Sequence, residues 1–321
     1  MSKKNKVKIS PGDVAFKTIV MIILVVYATT ILFLVFWGLI NSFKADALFY
    51  ENALSFPKLP IRIYEIEDYN KAWSIGNYIK IFEEFTYHKS LSYSSIFADE
   101  VVSEVTTGFF GMLGNTLYMA LFCSFAQVIV CYVTGYLAAK YKFKFSGFIY
   151  GLVIAMMSIP VIGNQPSLIN VLMKLNLFSN YVGIFFMKAA FGGMYFLVFY
   201  AFFEGLPDSY TEAAEIDGAS QFRILLKIIV PMGMKMIGTV TLLLFVANWN
   251  DYSMSFIYMP TIPTLAYGIY ELAHLGNKHA GFTGIVYKIA GCFLLIIPTL
   301  ILFIAAKDKI MGNISAGGLK G

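Results

Sequence analysis

Six uninterrupted or nearly uninterrupted apolar runs, at 19–40, 115–139, 147–163, 182–203, 232–248 and 283–306, decide what this chain can fold into. Each approaches the length a helix needs to cross roughly 30 Å of hydrocarbon, where backbone N–H and C=O groups must be satisfied within the segment itself. Of 321 residues, 58% are hydrophobic and only 13% charged, far below the roughly 25% of soluble domains. The expectation is an all-α, multi-pass integral membrane protein with six transmembrane helices. The first run follows Lys3, Lys4, Lys6 and Lys8, as a signal peptide would, but it exceeds an h-region of about 7–15 residues and is expected to remain as a span.

Lysine and arginine orient the chain in the membrane. The N-terminal tail, the turn with Lys140, Lys142 and Lys144, the segment with Arg223, Lys227 and Lys235, and the tail with Lys307, Lys309 and Lys320 share one face, which the positive-inside rule makes cytoplasmic. Both termini are expected there. The opposite face carries the loop 43–106, in which ten acids outnumber six bases. The net charge of +5 therefore reports topology, and no basic, aromatic-interleaved soluble segment suggests nucleic acid.

The expected organisation is a cytoplasmic tail over 1–18, a first span over 19–42 and an extended external loop over 43–106. A core of five further spans follows over 107–306, then a cytoplasmic tail over 307–321. Short helices are expected in the external loop, with 77-NYIKIFEEF-85 the best candidate, and another at 166–181. Gly108, Gly111 and Gly114 place small residues on one face, suited to close helix packing. Cys123, Cys131 and Cys292 fall inside spans with no ligand or disulfide spacing.

Several chemistries lack their residues. There is no phosphate-binding G-x-x-x-x-G-K-[ST] loop, no H-E-x-x-H and no G-x-S-x-G elbow. His274 and His279 have no third ligand nearby in sequence, so no metal site is expected. The spans hold no acid or histidine. Lys188 and Lys288 are the charged groups well inside them, compatible either with snorkelling to the outer interface or with meeting an anionic substrate group in a wet path.

One polar stretch, 212-EAAEIDGASQFRILLKIIVP-231, lies between two membrane-length runs on the lysine-rich side. Asp208 and Ser209 are candidate N-caps, and Glu212 stands three residues after Ser209, a capping-box spacing. A helix over about 209–217 should stop at Gly218. Ser220 can cap a second helix ending before Pro231, where the next span begins. Two short helices at an angle make a knob, suited to docking or simply to lying in the interface.

E-A-A-x-x-x-G with a proline about a dozen residues later resembles the EAA loop of the membrane subunits of binding-protein-dependent ABC importers. Glu212, Ala213, Ala214, Gly218 and Pro231 match position by position. The fuller E-A-A-E-I-D-G-A form is similar to the carbohydrate-uptake branch, which includes the smaller permease of the maltose transporter. The 77-NY-78 pair with Phe82, 115-NTLYMA-120, 249-WND-251 and the tail 317-GGLKG-321 extend the resemblance over nearly the whole chain. The external loop departs from it by its length.

The resemblance implies a type I ABC importer permease of the plasma or inner membrane, passing a sugar or oligosaccharide by alternating access. It implies a second, homologous permease as heterodimer partner, two ATPase subunits that use ATP and Mg, and an extracytoplasmic solute-binding protein. No cofactor is expected on this chain, which is non-catalytic. The loop 204–231 would act as a coupling helix through Glu212, Ala213, Ala214, Asp217, Gly218 and Pro231. The tail residues Gly317, Gly318, Lys320 and Gly321 would touch the ATPase or remain a free end. Candidate pathway residues are Asn115, Tyr118, Gln127, Tyr132, Asn248 and Asn250, for each of which an interhelical hydrogen bond is the simpler role, together with Lys188 and Lys288, whose alternative is snorkelling. The same architecture could serve a polyamine, phosphate or amino acid, and a stand-alone membrane enzyme or scaffold is the remaining alternative.

Overall fold

The computed structural model describes residues 11–56, 75–97, 101–141, 146–159, 163–190, 192–274 and 281–317. It divides into two units, one of residues 1–80 with 280–293 and one of residues 81–279 with 294–321.

In the first unit, α1 (Pro11–Ser42) is apolar all round and its membrane-length window is entirely exposed, as a lipid-facing span requires. Its end is tied by side chains rather than by a glycine. Asn77 Nδ2 donates to the carbonyls of Ser42 (2.9 Å) and Lys44 (2.8 Å), and Tyr78 Oη donates to Ser42 Oγ (2.7 Å). Lys44 is fully buried and donates to the carbonyls of Asn52 and Ala53, and its burial lowers the ammonium's pKa below the usual lysine value. The 77-NY-78 pair is thus a clasp on the first span, and it opens the helix α3 (Gly76–Glu84) that the periodicity predicts.

The second unit departs first from the expectation of short helices alone beyond the first span. Thr86–Tyr93 (β1) and Val101–Gly108 (β2) form an antiparallel hairpin, with Tyr87 opposite Thr107 and Tyr93 opposite Val101. The physical reason lies in the residues. Val101, Val102, Val105, Thr106 and Thr107 are β-branched, and β2 alternates half-buried with exposed positions, the period of a strand. Tyr87 anchors the hairpin, its hydroxyl donating to the Pro260 carbonyl at 3.0 Å, and burial raises its pKa to about 12.

A helical path then runs from Phe109 to Lys140, composed of α4 (Phe109–Leu117), a π-helical turn (Tyr118–Cys123) and α5 (Ser124–Lys140). α5 packs on α9 (Gly193–Glu204) at Gly135, where a Cβ would come within 3.0 Å of Phe199 Cβ and 3.2 Å of the Tyr200 nitrogen. Lacking a strong hydrophobic drive in lipid, such helices associate through close van der Waals contact, which a glycine permits. Gly114, by contrast, has open space where its Cβ would be, so this part of the expected glycine face meets no neighbour among the described residues.

Among the described residues, four helices are long and apolar enough to cross a membrane: Gly12–Ser42, Phe109–Lys140, Gln221–Trp249 and Ile285–Ala306. A fifth exists if the pair α8 (Tyr181–Lys188) and α9, bent by 47°, counts as one span. Among the described residues of the run at 147–163, the helix covers Ser146–Ser158, about 20 Å long.

Candidate functional site

The coupling-type loop begins with α10 (Ser209–Ile216). Of the two candidate N-caps it is Asp208 that stands there, so Ser209 is already helical and does not form the expected capping box with Glu212; the Asp208 carboxylate pairs with Lys140 Nζ at 2.6 Å, and no side chain caps the helix. The helix ends as predicted. Gly218 adopts φ +73, its N–H donates to the Glu215 carbonyl (2.9 Å), and the Ala219 N–H reaches back to the Ala214 carbonyl (2.9 Å). That pair of bonds is a Schellman closure, which uses glycine because a Cβ disfavours the left-handed conformation.

Ser220 caps α11 (Gln221–Ile224) through the Arg223 N–H at 3.4 Å. The second helix does not stop before Pro231. A π-helical turn, Leu225–Ile229, leads directly into α12 (Val230–Trp249), making one helical path from Gln221 to Trp249. Proline removes a donor and crowds the carbonyl one turn back, and the extra residue of a π turn absorbs both without a break. Tyr132 Oη donates to the Ile229 carbonyl at 2.6 Å beside this turn, and Gly233 leaves room for the same ring.

The two alanines of E-A-A part company. Ala214 is buried with Tyr132, Tyr136, Phe203 and Ile224, whereas Ala213 faces out with Glu212, Glu215 and Asp217. The Glu212 side chain makes no hydrogen bond or ion pair among the described residues, and it is exposed. Ile216 and Phe222, 86% and 70% exposed, stand among these acids. Apolar side chains exposed beside three carboxylates do not suit lipid, and the combination is what a protein partner would cover.

A polar cluster lies deeper in the same unit. Lys188, the last residue of α8, donates to Asn248 Oδ1 (2.8 Å) and Asp251 Oδ2 (2.9 Å). Asn248 Nδ2 continues to Ser124 Oγ at 2.7 Å. Asp251 Oδ1 also caps α13 (Tyr252–Tyr258) through the Met254 N–H. Lys188 therefore does what neither sequence reading foresaw: it is paired within the chain. The acid was visible in W-N-D, but it sits just past its run, and no spacing links residues 63 apart.

The other pathway candidates scatter. Asn115 Nδ2 donates to the Pro263 carbonyl (2.9 Å), and its Oδ1 accepts from Tyr181 Oη. Tyr118 Oη donates to the Tyr181 carbonyl at 3.1 Å. Asn115 and Tyr181 line an open groove of about 480 Å³ with Thr107, Asn180 and Thr261. Tyr132 is buried against the π turn. Asn250 is exposed and bonds back to the Val246 carbonyl, while Gln127 and Lys288 are half-buried. Gly317 closes α15 (Ile285–Gly317). Gly318, Lys320, Gly321, His279 and the lysines at 3–8, 142 and 144 lie outside the described residues. No group of three metal-ligating side chains occurs among the described residues.

Comparison with known proteins places this arrangement. The chain is 25% identical over 214 residues to the sulfoquinovosyl glycerol transport system permease SmoH of Agrobacterium fabrum, covering 65% of this chain and 73% of that one. It is 24% identical over 262 residues to the maltodextrin transport system permease MdxG of Bacillus subtilis, covering 79% and 83%. Among solved structures, a bacterial ABC transporter involved in import of the acidic polysaccharide alginate superposes with a TM-score of 0.68 at 18% identity, covering 94% of this chain and 99% of that chain. This likeness shows a shared fold, that of type I ABC permeases. Residues 131–308, more than half of the chain, match the family of binding-protein-dependent transport system inner membrane components. The loop, Lys188, Asn248 and Asp251 of the polar cluster and the helices Gln221–Trp249 and Ile285–Ala306 fall inside that match, and the chain belongs to this family of multi-pass membrane permeases.

Proposed function

We propose that this chain is the non-catalytic permease subunit of an ATP-driven importer for a sugar or oligosaccharide. The observation that carries the coupling role is the loop at 208–220, a Schellman-closed knob that buries Ala214 and presents Glu212, Ala213, Ile216 and Phe222 outward. Such a surface suits the cleft of an ATPase subunit, where Glu212 can form a charge-assisted contact with a basic group. ATP and Mg belong to that partner. The six-span reading, with both termini cytoplasmic, completes the helices with the short Ser146–Ser158 segment and the bent α8–α9 pair.

One chain offers too few spans to enclose a sugar path, so a second homologous permease, two ATPases and an extracytoplasmic binding protein complete the assembly. ATP-driven closure of the ATPases would move the knobs and rock the spans between inward-open and outward-open states. The carbohydrate class rests on the relatives, whose named substrates include maltodextrin and sulfoquinovosyl glycerol. The groove at Asn115 and Tyr181 offers aromatic and amide groups of the types that hold sugars. Affinity purification of the membrane-extracted chain, followed by reconstitution and an uptake panel of neutral sugars, uronates, polyamines and amino acids, tests the reading. ATP-dependent uptake confined to a sugar supports it, and uptake confined to a non-sugar solute contradicts it.

A further inference from the structure

Lys140 enters the sequence as one of several cytoplasmic lysines, a marker of topology. Its side chain does something more particular. It is 10% exposed, and its Nζ contacts both the Leu206 carbonyl and, at 2.6 Å, Asp208 Oδ1, the two groups from which α10 departs. The next residue, Tyr141, places its hydroxyl on Gln221 Oε1 at the start of α11, and Gln221 Nε2 in turn holds Glu215 Oε1 of α10 at 2.6 Å. Two consecutive residues at the end of α5 therefore grip the roots of both loop helices.

The opposite end of α5 holds a different element. Ser124, its first residue, accepts from Asn248 in the cluster that contains Lys188 and Asp251. Ser124 and Lys140 are sixteen residues apart on one uninterrupted α-helix, roughly 24 Å at about 1.5 Å per residue. A regular helix is stiff along its axis, and this one is braced on α9 at Gly135.

We propose that α5 is the transmission rod of this permease, with Lys140 as the positioning residue that fixes the coupling loop to it. Displacement of α10 by a partner is then delivered at once to the Ser124–Asn248–Lys188 cluster. Without Lys140 the loop still folds, since its Schellman closure is internal, but it moves without carrying the helix. This proposal rests on the coupling role assigned above to the loop.

The test uses the complete importer in proteoliposomes, with ATP hydrolysis measured with and without substrate-loaded binding protein. Copurification of the ATPase subunit with wild type and with Lys140→Met is scored first. Lys140→Met is expected to retain the ATPase subunit and basal hydrolysis while losing stimulation and uptake at least fivefold. Lys140→Arg should keep most of both, and the exchange Lys140→Asp with Asp208→Lys should recover more than either single change. Tyr141→Phe, which deletes only a hydroxyl, should reduce stimulation about twofold and supplies the same comparison if Lys140→Met fails to assemble. Full stimulation in Lys140→Met and Tyr141→Phe, with the ATPase subunit bound, overturns the rod. Absence of any ATPase subunit from the wild-type preparation overturns instead the coupling role on which it stands.

Discussion

Lys188 Nζ and Asp251 Oδ2 stand 2.9 Å apart, joining the end of α8 to the junction after α12. Their side chains are 18% and 25% exposed, so each charge depends on the other more than a surface pair would. Asp251→Asn should leave the ammonium partly buried without its counter-charge and lower stability by about 2 kcal/mol. Removing both charges with Lys188→Met and Asp251→Asn should cost less than the sum of the singles. Thermal unfolding of the four proteins in detergent, read as a double-mutant cycle, checks this; strict additivity would show that the pair does not couple.

Gly218 has open space where a Cβ would stand, so the cost of replacing it is conformational rather than steric. At φ +73, Gly218→Ala should destabilise the loop by about 1–2 kcal/mol, and Gly218→Asn by less, because asparagine visits the left-handed region more readily. Hydrogen exchange at the Gly218 and Ala219 amides, whose bonds form the closure, is the direct readout: faster exchange in the alanine variant than in the asparagine variant is expected.

Gly233 is the opposite case. A Cβ there would lie 2.3 Å from Tyr132 Oη and 2.7 Å from its Cε2, so Gly233→Ala forces the ring off the π turn. Overpacking of this kind costs about 1–3 kcal/mol. Tyr132→Phe relieves the hydroxyl but not the ring carbon and loses the bond to the Ile229 carbonyl, itself worth about 1 kcal/mol. The double variant Gly233→Ala with Tyr132→Phe should therefore remain less stable than either parent glycine protein, whereas Gly233→Ala with Tyr132→Leu should recover part of the loss. Melting temperatures of the purified proteins distinguish the two.

Asn115 and Tyr181 bond to each other at the rim of the groove, and Asn115 also holds the Pro263 carbonyl. Tyr181→Phe breaks only the first contact. If the groove contributes to sugar passage, this variant should raise the KM of uptake several-fold while leaving kcat and the assembled complex near wild type. An unchanged KM would assign the pair to packing.

How much of this was legible in the residues depends on whether the cause was local. The stop at Gly218 and the cap at Ser220 are short-range chemistry, and both stand where the spacing predicts. The capping box between Ser209 and Glu212 fails because the helix starts one residue earlier, with Asp208 as N-cap, and the Asp208 carboxylate is held by Lys140, a residue 68 positions away that no local rule could supply. Pro231 reads as a boundary, but the π turn before it absorbs the proline, a choice made jointly with Tyr132 and Gly233 across the helix packing. The hairpin is written in local residues too, since Val101, Val105 and Thr107 recur on one face at a strand's period. The pairing of Lys188 with Asp251 was out of reach, since it depends on how three separate helices are stacked.

The central claim is that the loop around Glu212 receives the work of ATP hydrolysis for this chain. The most direct measurement is substrate-stimulated ATP hydrolysis by the reconstituted importer carrying Glu212→Lys, an exposed substitution that reverses the charge offered to the ATPase and leaves the buried Ala214 contacts alone. The account predicts at least a tenfold loss of stimulation and of uptake while the permease itself remains folded. Stimulation at the wild-type level would contradict it.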